Sequence, residues 1–375
     1  MTILTPGPTE MNPDVLREML RSVNPDLDKG FFRVYNETVE MIKKLIKWNG
    51  DIYIMSGEGM LGLEVSIANT VREGDRVLSL SNGVFGELFA DLAMRYGAKV
   101  DTVNSPYDEP FDAQLIKNVE NYKAVTFVYV ETPSGLINNI ESVSERIKGK
   151  GSLFIVDAIS AVGALPIDCE ALGIDICLMA SQKAFSSPPG LAIIAVSKKA
   201  KEVIEKNNYK GYYMGIKVWD EYLKQEMFPY TPAANDILAL HRSLKGIFRE
   251  GPESVYRRHL ASKEATIEGV KAMGLKLFVK DQAFSAPTVT AVYSPISPEK
   301  IINFAWEKLG VMLAGSWGPL KDKVIRIGHM GYTAQKRFVA EGIAALGAAL
   351  NYNGIPANTV NALKKVNEVF ESYNL

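Results

Sequence analysis

The sequence predicts an α/β protein: a large domain built on a mostly parallel sheet with helices on both faces, followed by a smaller C-terminal α+β domain. Three features of the 375-residue chain carry that expectation. Short apolar runs alternate with amphipathic helical stretches from about residue 35 to about residue 200. Several of these runs are apolar throughout, as strands covered on both faces must be. After about Asn235 the pattern changes to longer helices with a few isolated strand-like runs between them.

Taken in order, the strand-like runs are DIYIMS, RVLSLS, KVDTVN, AVTFVYV, SLFIVDA, IDICLMAS and LAIIAVS. Between them, stretches such as GMLGLEVSIANTV and GELFADLAMRYG repeat apolar residues at three- and four-residue spacing, the period of a helix with one buried face. A long helical stretch then runs from Asn235 towards Gly274 and is broken near REGPES. It is followed by KLFV, TVTAVYS, the helix PEKIINFAWEKLG, the run VIRIGHMG and two closing helices. The boundary is placed at residue 250. Residues 1–250 then form an N-terminal segment and the large domain, and 251–375 the small one.

Composition narrows the function class. Hydrophobic residues make up 47% of the chain, charged residues 23%, and the formal net charge is −1. A balance this near neutral argues against nucleic acid or an anionic membrane as the main partner. With two cysteines and three histidines in no ligand spacing, neither a metal centre nor a disulfide framework is expected. The N-terminus has no basic, apolar leader, and no run approaches the ~20 apolar residues of a membrane span. A cytoplasmic protein is the expectation.

The stretch SGEGMLGLE contains Gly57-Glu58-Gly59-Met60-Leu61-Gly62, a G-x-G-x-x-G string between a strand and a helix. A dinucleotide site also needs an acid at the end of the next strand, roughly 20 residues on, for the ribose hydroxyls. That strand end offers Ser79, Ser81 and Asn82, while Glu73 and Asp75 precede the strand at the wrong edge. What survives is a helix N-terminus that favours an anion, and a phosphate is the expected one.

Other polar residues sit where strand ends should be. Asp157 ends one apolar run and Lys183 follows the next, with Gln182 beside it; Thr132 lies at a third strand end, and Phe85 sits between two glycines. A phosphate cradle, an amine, a carboxylate and a flat aromatic are the parts needed for pyridoxal 5′-phosphate. The lysine would hold the ring covalently, the carboxylate would pair with the pyridinium nitrogen, and the aromatic would cover one face.

Nearly the whole chain resembles the class V aminotransferases of pyridoxal-phosphate fold type I, and within them the alanine–glyoxylate and serine–pyruvate branch. The resemblance runs through TPGPTEMNP, SGEGMLGLE, NGVFGE, ETPSG, VDAISAVG, SQKAFSSPPG and VIRIGHMG. It implies that Lys183 is the cofactor-holding lysine and Asp157 its pyridinium partner. Gln182 and the backbone of Glu58, Gly59 and Met60 would take the phosphate. Phe85 would stack on the ring, Thr132 would reach its phenolic oxygen, and Ile159 would fall among the ring contacts. Arg326 would grip the substrate carboxylate, and Gly7 would line the substrate side. The family completes the phosphate site from a second subunit, so the resemblance also implies a homodimer in which MFPYTPAAN supplies Phe228 and Thr231.

Four departures stand out. Glu58 replaces a common serine or threonine, and an acid there suits a phosphate only if its side chain turns away. Phe85 replaces a common tryptophan. Phe228 replaces a tyrosine, which removes a donor, and SVNPDLDKGFF lacks the usual His-Arg stretch.

The expected activity is transamination between small 2-amino and 2-oxo acids, with alanine or serine as donor and glyoxylate or pyruvate as acceptor. A family member with an aminophosphonate or purine-pathway substrate is the alternative, and an NAD-dependent oxidoreductase a remote one. A cysteine desulfurase is rejected, because no cysteine follows Cys177 and desulfuration needs a nucleophilic thiol on a mobile loop.

Overall fold

The computed structural model describes all residues, 1–375. Seven strands form the central sheet: β1 (Asp51–Ser56), β2 (Arg76–Ser81), β3 (Lys99–Asn104), β4 (Ala124–Val128), β5 (Leu153–Asp157), β6 (Ile176–Ala180) and β7 (Leu191–Val196). Their order across the sheet is β1-β7-β6-β5-β4-β2-β3. Every residue of β4, β5, β6 and β7 is buried, which explains why these runs are apolar without alternation. At the edge, β3 exposes Lys99, Asp101 and Asn104, charged and polar groups that keep an open strand edge from pairing further.

All neighbours in the sheet run parallel except at β7, which is antiparallel to both β1 and β6. A parallel return needs a crossover of a dozen residues or more. The link between β6 and β7, residues 181–190, contains no helix and turns the chain straight back. That link carries Lys183.

Helices α1 (Gly59–Thr70) and α2 (Val84–Arg95) follow β1 and β2 directly. The run AVTFVYV does not stay in the sheet. It leaves after Val128, and Val130–Glu131 then pairs antiparallel with Leu136–Ile137, which fixes Glu131 and Thr132 in a tight hairpin.

The C-terminal part begins where α3 (Ala234–Glu250) gives way to α4 (Pro252–Ala272). Gly251 separates them, and proline occupies the first position of α4, where its missing N–H costs nothing. Strands β8 (Val289–Tyr293) and β9 (Val324–Gly328) pair antiparallel. Around them pack α5 (Pro298–Leu309), α6 (Lys336–Tyr352) and α7 (Thr359–Ser372). The run KLFV forms no strand. It is too short for a ladder and only flanks β8, with Leu277 making a single bridge to Val292.

Apolar side chains gather in two main cores, one around the central sheet and one among α4, α5, α6 and α7. Leu4 belongs to the second core. The first residues of the chain lie there because Thr2–Ile3 pairs parallel with Val311–Met312, and Gly328 N donates to Leu4 O at 2.7 Å. No helix is long and apolar enough to cross a membrane.

Phe228 is 6% exposed and sits in an aromatic cluster, its ring 5.1 Å from Tyr35, 5.7 Å from Phe31 and 6.4 Å from Trp219. Replacing Phe228 with Ala should therefore cost about 3–5 kcal/mol of stability. Urea unfolding followed by tryptophan fluorescence measures this, and a loss under about 1 kcal/mol would mean that the ring is not part of the core.

Candidate active site

Because β1, β2, β4, β5 and β6 point the same way, their C-terminal ends share one edge of the sheet, the edge at which open α/β sheets bind ligands. Asp157 is the last residue of β5 and is 4% exposed. Its Oδ1 accepts from Ile159 N at 2.9 Å. Burial raises the carboxyl to about 6 against that hydrogen bond and the nearby Lys183 charge. A cationic partner would return it to the ionised form.

Lys183 lies just past β6, half-buried, and its Nζ donates to Pro6 O at 2.7 Å. Burial lowers the amine to about 8; Arg326 pushes the same way, while Asp157 and Glu58 oppose it. The chain reaches Lys183 through Gly7, which has φ +109°, and a Cβ there would lie 2.5 Å from the lysine Nζ. Only glycine permits both that backbone and that approach.

Arg326 comes from the middle of β9 and is 4% exposed. Its Nε donates to Gly315 O at 2.6 Å and its Nη1 to Thr132 O at 3.3 Å. Both acceptors are uncharged, and no carboxylate pairs with the guanidinium. Burial lowers it to about 10. A desolvated guanidinium without a counter-ion is costly, and a planar carboxylate matches its fork of donors.

Two aromatic rings extend the site from Arg326. Trp317 lies 5.2 Å from the guanidinium carbon, and Phe85 meets the Trp317 ring edge-on at 5.8 Å. Phe85 is aimed by Glu131, which sequence reasoning passed over. This fully buried carboxyl accepts from Phe85 N at 3.2 Å and Gly86 N at 2.8 Å, capping α2 from a neighbouring hairpin. Burial raises it to about 8 despite those two bonds. Its signal was an acid directly after the apolar run AVTFVYV; the signal for Trp317 was an aromatic ring before a Gly-Pro turn.

Thr132 Oγ1 lies 2.5 Å from Ser160 Oγ, another group the sequence did not single out. Gln182 is 7% exposed, and its Oε1 is buried without a partner. Gly59 packs against Ile159: a Cβ at Gly59 would come within 2.7 Å of Ile159 Cδ1. Thr231 is exposed near the end of β1, where Ala233 N donates to Ser56 Oγ at 3.1 Å. Phe228 lies in the aromatic core of its own chain. Both Cys169 and Cys177 are fully buried.

The family model for class V aminotransferases matches residues 13–319. The chain belongs to that family. It is 33% identical to pyridoxamine–pyruvate transaminase of Mesorhizobium japonicum, across 94% of this chain and 92% of that protein. It is 32% identical to serine–glyoxylate aminotransferase of Methylorubrum extorquens, across 88% and 86%. The crystal structure of ureidoglycine–glyoxylate aminotransferase from Bacillus subtilis superposes with a TM-score of 0.94 at 31% identity, covering 98% of this chain and 97% of that one. The class V family and its fold neighbours are pyridoxal 5′-phosphate enzymes, and that group is the one the residues here must be fitted to.

At the ring end the residues present fit that cofactor. Asp157, Thr132, Lys183 and Phe85 are the residues that would hold it there, offering a carboxylate, a hydroxyl, an amine and a flat ring. The phosphate end differs. Glu58 does not turn away: its Oε2 caps α1 by accepting from Met60 N at 3.0 Å. A phosphate arriving there would meet a carboxylate. Two unit charges about 4 Å apart repel by on the order of 4 kcal/mol at an effective dielectric of about 20.

Two outcomes are expected from this geometry. Gly7→Ala should lower aldehyde capture by Lys183 at least tenfold while the chain stays folded by circular dichroism; unchanged capture would mean that the turn does not hold the amine. In wild type the capture rate, followed by stopped-flow absorbance, should climb as pH approaches about 8 and level off above it, because the neutral amine is the reactive form. A rate still rising at pH 10 would contradict the shift.

Proposed function

We propose that the protein transfers an amino group between small 2-amino acids and 2-oxo acids, with alanine or serine as donor and glyoxylate or pyruvate as acceptor. The observation that carries the reading is Arg326: a buried guanidinium held by two neutral carbonyls, without a counter-ion, whose charge reaches the Lys183 amine. One such cation suits one carboxylate. The glyoxylate and pyruvate named for the similar aminotransferases support small oxo acids as acceptors.

The bound ring supplies an electron sink, which makes a proton on the substrate Cα removable. The chain does the rest. Arg326 clamps the carboxylate and sets the direction of the Cα–H bond. The Lys183 Nζ, neutral above about pH 8, takes that proton and later returns one. Asp157 would supply the negative charge that keeps a bound ring nitrogen protonated. Phe85 and the half-exposed Trp317 line the site on the Arg326 side. In a homodimer, the exposed Thr231 would contribute to the partner's site, whereas Phe228 is 6% exposed and packs into its own aromatic core.

Steady-state kinetics test this reading. Lys183→Ala should reduce turnover by about 10²–10⁴-fold or more. Arg326→Gln should raise KM for alanine by roughly 10–100-fold, the loss of a charge-assisted pair worth about 1.5–3 kcal/mol. Alanine and serine should exceed aspartate in kcat/KM. A preference for the dicarboxylate would mean that a second cation serves the site, and the proposal would fall.

A further inference from the structure

Glu58 stands at the helix start where the cofactor's phosphate would be received. Its carboxylate fills that seat in three respects. It accepts the Met60 N–H at 3.0 Å, it lies at the positive end of the α1 dipole, and its charge acts on the Lys183 amine. An anion is already built into the chain at this point. The other groups expected at the phosphate do not offset it. Phe228 has no donor and lies in the aromatic core, and Gln182 brings a neutral amide.

We infer that the site takes a pyridoxal-type ring whose 5′ substituent is an uncharged hydroxymethyl group, with the Glu58 carboxylate standing in for the phosphate. The inference rests on Lys183 as the residue that holds the ring. The second oxygen of Glu58 is free to accept a hydrogen bond from the ring's hydroxyl, which a phosphate cannot donate when ionised.

A consequence follows for turnover. Without a phosphate anchor, only the bond to Lys183 retains the ring, and that bond needs the aldehyde form. The amine form has no such link and leaves. The ring is then a reactant: amino acid and pyridoxal give 2-oxo acid and pyridoxamine. The amino nitrogen leaves Cα for the 4′ carbon, the Cα proton and its electron pair also end on that carbon, and the aldehyde oxygen is matched by the new oxo group through one water released and one consumed.

Absorbance titration of the full chain with pyridoxal and, separately, with pyridoxal 5′-phosphate tests this. The wild type should bind pyridoxal at least about tenfold more tightly than its phosphate, and Glu58→Ser should reverse the order. After alanine converts the ring to its amine, dialysis should strip it from wild type. A wild type that prefers the phosphate by tenfold or more, with Glu58→Ser unchanged, overturns the inference but leaves the transaminase reading standing. Binding of neither compound, with Lys183→Ala indistinguishable from wild type, overturns both. If Glu58→Ser does not fold, Glu58→Gln carries the comparison, and the wild-type ratio decides by itself.

Discussion

The amine of Lys183 held against the carbonyl of Pro6 is the contact on which the site depends. It joins parts of the chain that are far apart in sequence. Lys183 sits on the short link that reverses the sheet between β6 and β7. Pro6 belongs to an N-terminal strap whose start pairs with Val311–Met312 and whose Leu4 lies in the C-terminal core. Arg326 extends from β9, whose last residue, Gly328, bonds to the same strap. The strap therefore fixes the distance between an amine carried by one core and a guanidinium carried by the other. Gly7 is the point at which the strap can come this close to the lysine side chain.

Charge at the site is arranged so that burial drives its reactivity. Two cations and two carboxyls come from four elements, and each is pushed toward neutrality by loss of water: Lys183 to about 8, Arg326 to about 10, Asp157 to about 6 and Glu131 to about 8. A ligand that brings a cationic ring nitrogen to Asp157 would hold that carboxyl ionised, and one that brings a carboxylate would give the Arg326 cation the counter-ion it lacks. Glu131 differs from the others. Its two backbone donors hold it in place beneath Phe85, so it acts on the site through the position of an aromatic ring.

Much of this was legible in the sequence because it depends on local pattern. Runs without alternation gave the buried strands, and Asp157 and Lys183 could be placed because each follows such a run. What could not be read was non-local. The reversal at β7 follows from the length of a link, yet neither LAIIAVS nor its neighbours differ in composition from parallel strands. The KLFV run looked like a strand, but an apolar tetrad is not a ladder without a partner of matching length. The cap that Glu131 makes on α2 spans 45 residues of sequence to Gly86. The direction of the Glu58 side chain is likewise invisible in sequence: an acid beside a phosphate seat could face either way, and the carboxylate turns to the Met60 N–H at the start of the helix.

The most direct test of the account is to find where the aldehyde goes. The chain is incubated with one equivalent of pyridoxal, reduced with borohydride, digested and analysed by mass spectrometry. The reduced adduct should be confined to the peptide carrying Lys183, whose amine is lowered to about 8 and stands just past the end of β6. Adducts scattered over surface lysines, with Lys183 unmodified, would contradict it.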